Sequence, residues 1–130
     1  MMWNPFRRRP TPEQLRASFD VDASLTDLLR VVRTWNKPRG LTWLAIHATG
    51  APILVRTPDA SPMMLLPVEI RFEVVPGSDM EDVPHAREPR QATALFLRVG
   101  PIWTPADRMM MNLTPAETLE RNSGWIAEPK

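Results

Sequence analysis

The chain has 130 residues, with 16 Lys+Arg against 15 Asp+Glu, 15 prolines, and neither cysteine nor tyrosine. That length suits one domain burying roughly two thirds of its unfolded surface, and 43% hydrophobic with 24% charged residues is a globular rather than a disordered composition. The absence of cysteine excludes a disulfide scaffold, a thiolate metal site and a cysteine nucleophile, and no apolar run reaches the ~18 residues of a membrane-spanning helix.

The near-neutral total hides a gradient. Residues 1–40 carry eight basic and four acidic side chains, a net of +4, and the excess begins at Arg7-Arg8-Arg9. The first eleven residues lack the apolar centre of a secretion signal, so a cytoplasmic location is expected. They read as a basic leader over 1–11, ahead of a single domain over 12–123 and a tail over 124–130. Trp3 and Phe6 beside Arg7, Arg8 and Arg9 also make a short arm suited to anionic lipid or nucleic acid. Aromatic rings lodge at a lipid interface, and guanidinium groups neutralise phosphates.

Thr11-Pro12-Glu13-Gln14 is a helix start: the hydroxyl caps, proline suits the first turn, and the glutamine reaches back to close a capping box. Leu15 and Phe19 share a face, then Leu25, Leu28, Leu29, Val32 and Trp35 recur at three and four. The spacing predicts helix over about 12–35, broken near Asp22, with a second start at Ser24-Leu25-Thr26-Asp27. From Leu41 onwards the pattern changes to strand and turn. Leu41–Ala48 is a first strand, Thr49–Pro52 a tight turn, and Ile53–Thr57 a returning strand. Val68–Val74 alternates for seven residues, the clearest strand of the chain, with Pro67 at its start or on a bulge. Residues 76–90 form a long loop. Gln91–Val99 follows as a strand, Gly100-Pro101 turns, and Ile102–Thr104 and Met109–Leu113 run back. Thr114-Pro115-Ala116-Glu117 repeats the capping signal and opens a short helix to about Asn122, which Ser123-Gly124 ends.

Helix first and consecutive strands after it predict an α+β fold: an N-terminal helix on a four- to five-stranded antiparallel meander, closed by a short C-terminal helix. This order of elements resembles the topology of the cystatin-like and NTF2-like group over most of the chain. The resemblance implies pairing of two copies through the sheet, or a ligand held between helix and sheet. It rests on topology without a residue motif, and the extra helices usual in NTF2-like chains are not evident, so it assigns no functional residue.

The second sheet face supplies the functional expectation. Strict alternation puts Leu41, Trp43, Ala45 and His47 on one side of the first strand and Thr42, Leu44, Ile46 and Ala48 on the other, both mainly apolar. The fourth strand and Met109-Met110-Met111 behave alike. One helix about 10 Å wide cannot cover both faces, so Leu44, Ile46, Leu95, Leu97, Met109 and Met111 are the candidate interface of a non-enzymatic module that binds protein, expected to self-associate as a homodimer. Trp3, Phe6, Arg7, Arg8 and Arg9 are the alternative, as an anionic lipid or nucleic-acid arm. His47 is the candidate pocket residue of a further alternative, an NTF2-like enzyme or ligand binder with Glu69, Glu73 or Asp59 as carboxylate partner. Asp79, Glu81, Asp82 and His85 carry oxygen and imidazole donors suited to a hard cation, but without the glycine-centred spacing of an EF-hand. No phosphate loop, dinucleotide fingerprint, nucleophile elbow or His-Glu-x-x-His occurs, and no cofactor or metal is called for.

Overall fold

Both helical ends of the chain close on themselves through local hydrogen bonds. In the computed structural model, which describes residues 9–35 and 40–129, α1 spans Pro12–Ala17 and α3, near the C-terminus, spans Pro115–Arg121. The Thr11 hydroxyl accepts from Gln14 N–H at 3.1 Å while the Gln14 side chain accepts from Thr11 N–H at 2.9 Å. Thr114 and Glu117 repeat the arrangement. The single interrupted helix expected over 12–35 is two helices, and α2 spans Val21–Val32. It starts four residues before Leu25, because the Asp20 carboxylate accepts from Ala23 N–H at 3.0 Å and takes the capping role.

The strands are β1 Leu41–Ala48, β2 Ile53–Arg56, β3 Pro62–Val74, β4 Arg90–Val99, β5 Ile102–Met111 and β6 Ile126–Ala127. They form one six-stranded antiparallel sheet in the order β5-β4-β3-β2-β6, with β1 also paired to β3. The α+β class read from the sequence is the class observed. β3 starts at Pro62, six residues before the expected Val68, with Pro67 inside its regular pairing to β4, and two details of strand pairing also differ from the expectation. First, β2 does not return beside β1. Both pair with the same edge of β3, β1 ending at Ala48↔Val68 and β2 beginning at Ile53↔Leu65. They are collinear segments, with Thr49–Pro52 looped out opposite Leu66 and Pro67. Pro67 has no N–H for the ladder there, and its carbonyl accepts from Thr49 N–H at 2.9 Å. Secondly, β5 is continuous through the segment expected to separate two short strands. A register shift between Ala94↔Met109 and Phe96↔Pro105 absorbs Ala106–Arg108 as a wide bulge.

A third irregularity decides which side chains meet. The register shifts between Trp43 and Ala45, so Leu44 is an extra residue and alternation inverts beyond it. Leu41, Trp43 and Ile46 all face the helices, whereas strict alternation separates Ile46 from the other two. On this helix-side face Met64, Leu66, Val68, Ile70, Phe72 and Phe96 meet Leu15, Phe19, Leu28 and Val32. Phe19 sits edge-on to Phe96 and Trp103 at 5.1 and 5.6 Å between ring centroids.

The opposite face has three zones along its length. Beside β1 it is wet, with His47, Glu69, Arg71, Glu73 and Gln91 outward. In the middle, Val55, Met63, Leu65, Leu95 and Ala106 form a second buried cluster under Leu119 of α3 and Trp125. The chain's own C-terminal segment therefore covers the area that the sequence left for a partner. Residues 124–128, read from the sequence as the start of a tail, supply part of that cover. Ile126↔Arg56 and Ala127↔Val55 pair in the ladder, and Glu128 both donates from its N–H to the Leu54 carbonyl and bonds Arg56 Nε at 2.8 Å. Arg16 of α1 donates to the Glu128 carbonyl at 3.1 Å and to that of Pro129. The third zone, at the β4–β5 turn, is open.

Candidate functional site

The open zone is built by the tightest connection in the sheet. Gly100 at φ +60° and Pro101 join β4 to β5 as a two-residue hairpin. A loop that short forces Val99 opposite Ile102, and Leu97 lies two residues back on the same face. Leu97 is 38% exposed, Val99 63% and Ile102 64%. Through the Met63↔Leu97 pair this patch continues the buried cluster under Trp125 without a polar break. A shallow cleft of about 520 Å³ runs beside it, lined by Pro58, Pro62, Met63, Leu97, Arg98 and Val99.

On the helix side of the same end lies a larger open cleft of about 890 Å³. Its floor includes Leu15 and Leu54, and Pro12, Pro62 and Pro101 wall it. Arg9, Arg56 and Arg98 reach it, with the carboxylates of Asp59 and Glu128. Glu128 is held by Arg56. Asp59 is held by the β2–β3 turn: the Thr57 hydroxyl donates to it, as does Ser61 N–H at 3.1 Å. These bonds, Thr57 first, keep its carboxyl below the usual aspartate range.

The six residues of the expected interface do not share a surface. Ile46 is 6% exposed and lies in the helix-side core, and Met109 and Met111 are half-buried against it. Leu95 is 2% exposed in the second cluster. Leu44 stands out alone on its bulge at 49% exposure. Only Leu97 belongs to the open patch. The expected interface omits Val99 and Ile102, although their signal is present: a two-residue loop between Leu97-x-Val99 and Ile102 obliges all three onto one face.

His47 is exposed on the face away from the helices. Glu69 stands opposite it in the ladder, but Glu69 is engaged by Arg71 Nε at 3.3 Å, and Asp59 lies at the far end of the sheet. The space between helix and sheet over β1 is filled by Trp35 edge-on to Trp43 at 6.3 Å and by Phe72 at 4.8 Å from Trp43. In the long loop, Ala86 is buried in the helix-side core and Met80 packs against it, Glu81 accepts from Gly77 N–H at 2.7 Å, and His85 pairs with Glu88. Among the described residues no three His, Asp or Glu side chains converge on a metal-sized site. Trp3, Phe6, Arg7 and Arg8 lie outside the described residues, and Arg9 is exposed at the mouth of the larger cleft. Among the described residues no helix is long and apolar enough to cross a membrane. No protein-family model matches this chain, and no curated protein or solved structure is significantly similar to it.

Proposed function

We propose that the chain is a small, non-enzymatic cytoplasmic module that works through protein contacts and self-associates at the open end of its second sheet face. One observation supports this reading: Leu97, Val99 and Ile102 form an exposed apolar continuation of a buried cluster that the C-terminal segment covers only in part. The alternative routes to self-association are weaker. Sheet edges invite pairing unless blunted, and each edge here is blunted: β1 by its bulge at Leu44, β5 by Pro105 and the 106–108 bulge, and β2 by the two-residue β6.

The exposed area of the three side chains is on the order of 300 Å², the size at which an apolar patch begins to mark an interaction site. A stable dimer buries about 800 Å² per partner. The patch therefore centres a contact whose rim comes from the turns at 57–62 and 99–102, and the dimer is weak. Sedimentation velocity from about 5 to 500 µM tests it. The wild-type chain gains mass with concentration, and Val99→Asp with Ile102→Asp stays monomeric at an unchanged unfolding midpoint. A wild-type chain that stays monomeric throughout, or a double variant that associates equally, refutes the proposal.

A further inference from the structure

Arg98 is the most constrained cation at the larger cleft, and no carboxylate accounts for the constraint. Its Nε donates to the Gly100 carbonyl at 3.0 Å and its Nη1 to the Ser18 hydroxyl at 2.8 Å. Its guanidinium carbon stands 5.6 Å from the centre of the Trp103 ring. Ser18 is itself fixed, donating to the Leu15 carbonyl at 2.8 Å and accepting from Trp103 Nε1 at 3.0 Å. Among the described residues Arg98 has no acidic partner, and its Nη2 makes no hydrogen bond. Arg9, at the mouth, likewise has no partner among the described residues. The third guanidinium, Arg56, is neutralised by Glu128, and Asp59 is satisfied by Thr57 and Ser61 rather than by a cation. With the Arg56–Glu128 pair cancelled, Arg9 and Arg98 against Asp59 leave the cleft one positive charge in excess.

From this geometry we infer that the cleft is a binding site for a monoanionic amphiphile: one carboxylate or phosphate head between Arg98 and Arg9, and a short hydrocarbon body against Pro12, Pro62 and Pro101. A pre-fixed guanidinium loses little side-chain freedom on binding, so it favours an anion more than a mobile surface arginine does. The proline walls supply the second half of the recognition, and the cleft volume lies within the range of small-molecule sites. The cleft opens on the helix side of the sheet and the self-association patch on the other, and the two share Arg98 and the turn at Asp59, Ser61 and Pro62 along their common edge. The same chemistry is offered by a free fatty acid and by an anionic lipid head in a bilayer.

Isothermal titration of the full chain with decanoate, below its micelle-forming concentration, reads the site, with decanol as the neutral control. Decanoate is expected to bind at one per chain and at least ~10-fold more tightly than decanol, with Arg9→Gln weakening it ~5-fold or more. Because Arg98 also ties α1 to the sheet, Arg98→Lys, which keeps the charge but cannot span the Ser18 and Gly100 bonds together, accompanies the thermal melt of each variant. It is expected to fold and to bind decanoate more weakly. Co-sedimentation with phosphatidylcholine vesicles carrying phosphatidylglycerol separates the sources. Vesicle binding that decanoate competes away and Arg9→Gln abolishes assigns a lipid head, and decanoate binding without vesicle binding assigns a free amphiphile. Equal affinity for decanoate and decanol, no saturable binding of decanoate, or affinity unchanged in both Arg9→Gln and Arg98→Lys overturns the inference.

Discussion

Leu65 and Leu66 are neighbours on β3, both fully buried, and they point to opposite faces. Leu66 lies in the core beneath the helices. Leu65 lies with Val55, Met63 and Leu95 beneath Trp125 and Leu119. If the C-terminal segment covers the second face within one chain, truncation to alanine is costly at both positions. A buried Leu→Ala change removes about 2–5 kcal/mol, combining lost transfer energy with the cavity left behind. Leu66 is surrounded by strands and by two helices and belongs near the top of that range. Leu65 has the thinner cover of a seven-residue helix and one half-buried tryptophan, so a loss of about 2–3 kcal/mol is expected. With a urea slope of roughly 1–2 kcal/mol per molar, a 3 kcal/mol loss moves the unfolding midpoint by about 1.5–3 M. The assay is urea unfolding followed by far-ultraviolet circular dichroism at two protein concentrations differing about tenfold. A Leu65→Ala cost below about 1 kcal/mol would show that the second face is not covered as described. A midpoint for that variant that climbs with protein concentration would instead assign the cover to a partner chain.

The remaining predictions address the same elements from the sequence side. Thr11→Ala and Thr114→Ala each lose a capping box and are expected to cost about 1 kcal/mol, additively in the double variant because the two caps serve different helices; thermal melts of the single and double variants check this. Gly124 holds φ +90°, and an added Cβ would lie 2.9 Å from Pro58 Cγ, so Gly124→Ala is expected to destabilise by more than ~1 kcal/mol and to loosen the C-terminal cover, read as faster hydrogen exchange at the Glu128 amide, which donates to the Leu54 carbonyl. Glu117 accepts from Thr114 N–H and from its hydroxyl, which holds its carboxyl below the usual glutamate range. Its contribution is therefore complete at neutral pH and is lost as the pH falls below about 4; Glu117→Gln should flatten that part of the stability–pH curve, and an unchanged curve would deny Glu117 the role.

The chain's sequence alone determined much of what has its cause within four residues, with the Asp20 cap that opens α2 ahead of the expected start at Ser24 as the exception. Both capping boxes, the stop at Ser123-Gly124, the strand at Val68–Val74 and the turn at Gly100-Pro101 are where local hydrogen bonding and backbone preference require them. Tertiary structure decided the matters settled across the sheet. The bulge at Leu44 carries Ile46 into the core, and the loop at Thr49–Pro52 makes β2 a continuation of β1. Each is a register choice set by the partner strand, and register leaves no periodic trace in the strand that bulges. The cover of the second face was hidden for a related reason. By sequence Trp125 can either dock back or lie loose, and Leu119 carries no local signal; their role appears only when β6 pairs with β2 and brings them over Leu65 and Leu95. What remained uncovered, at Leu97, Val99 and Ile102, is the part of a long apolar face that lies beyond the cluster under Leu119 and Trp125.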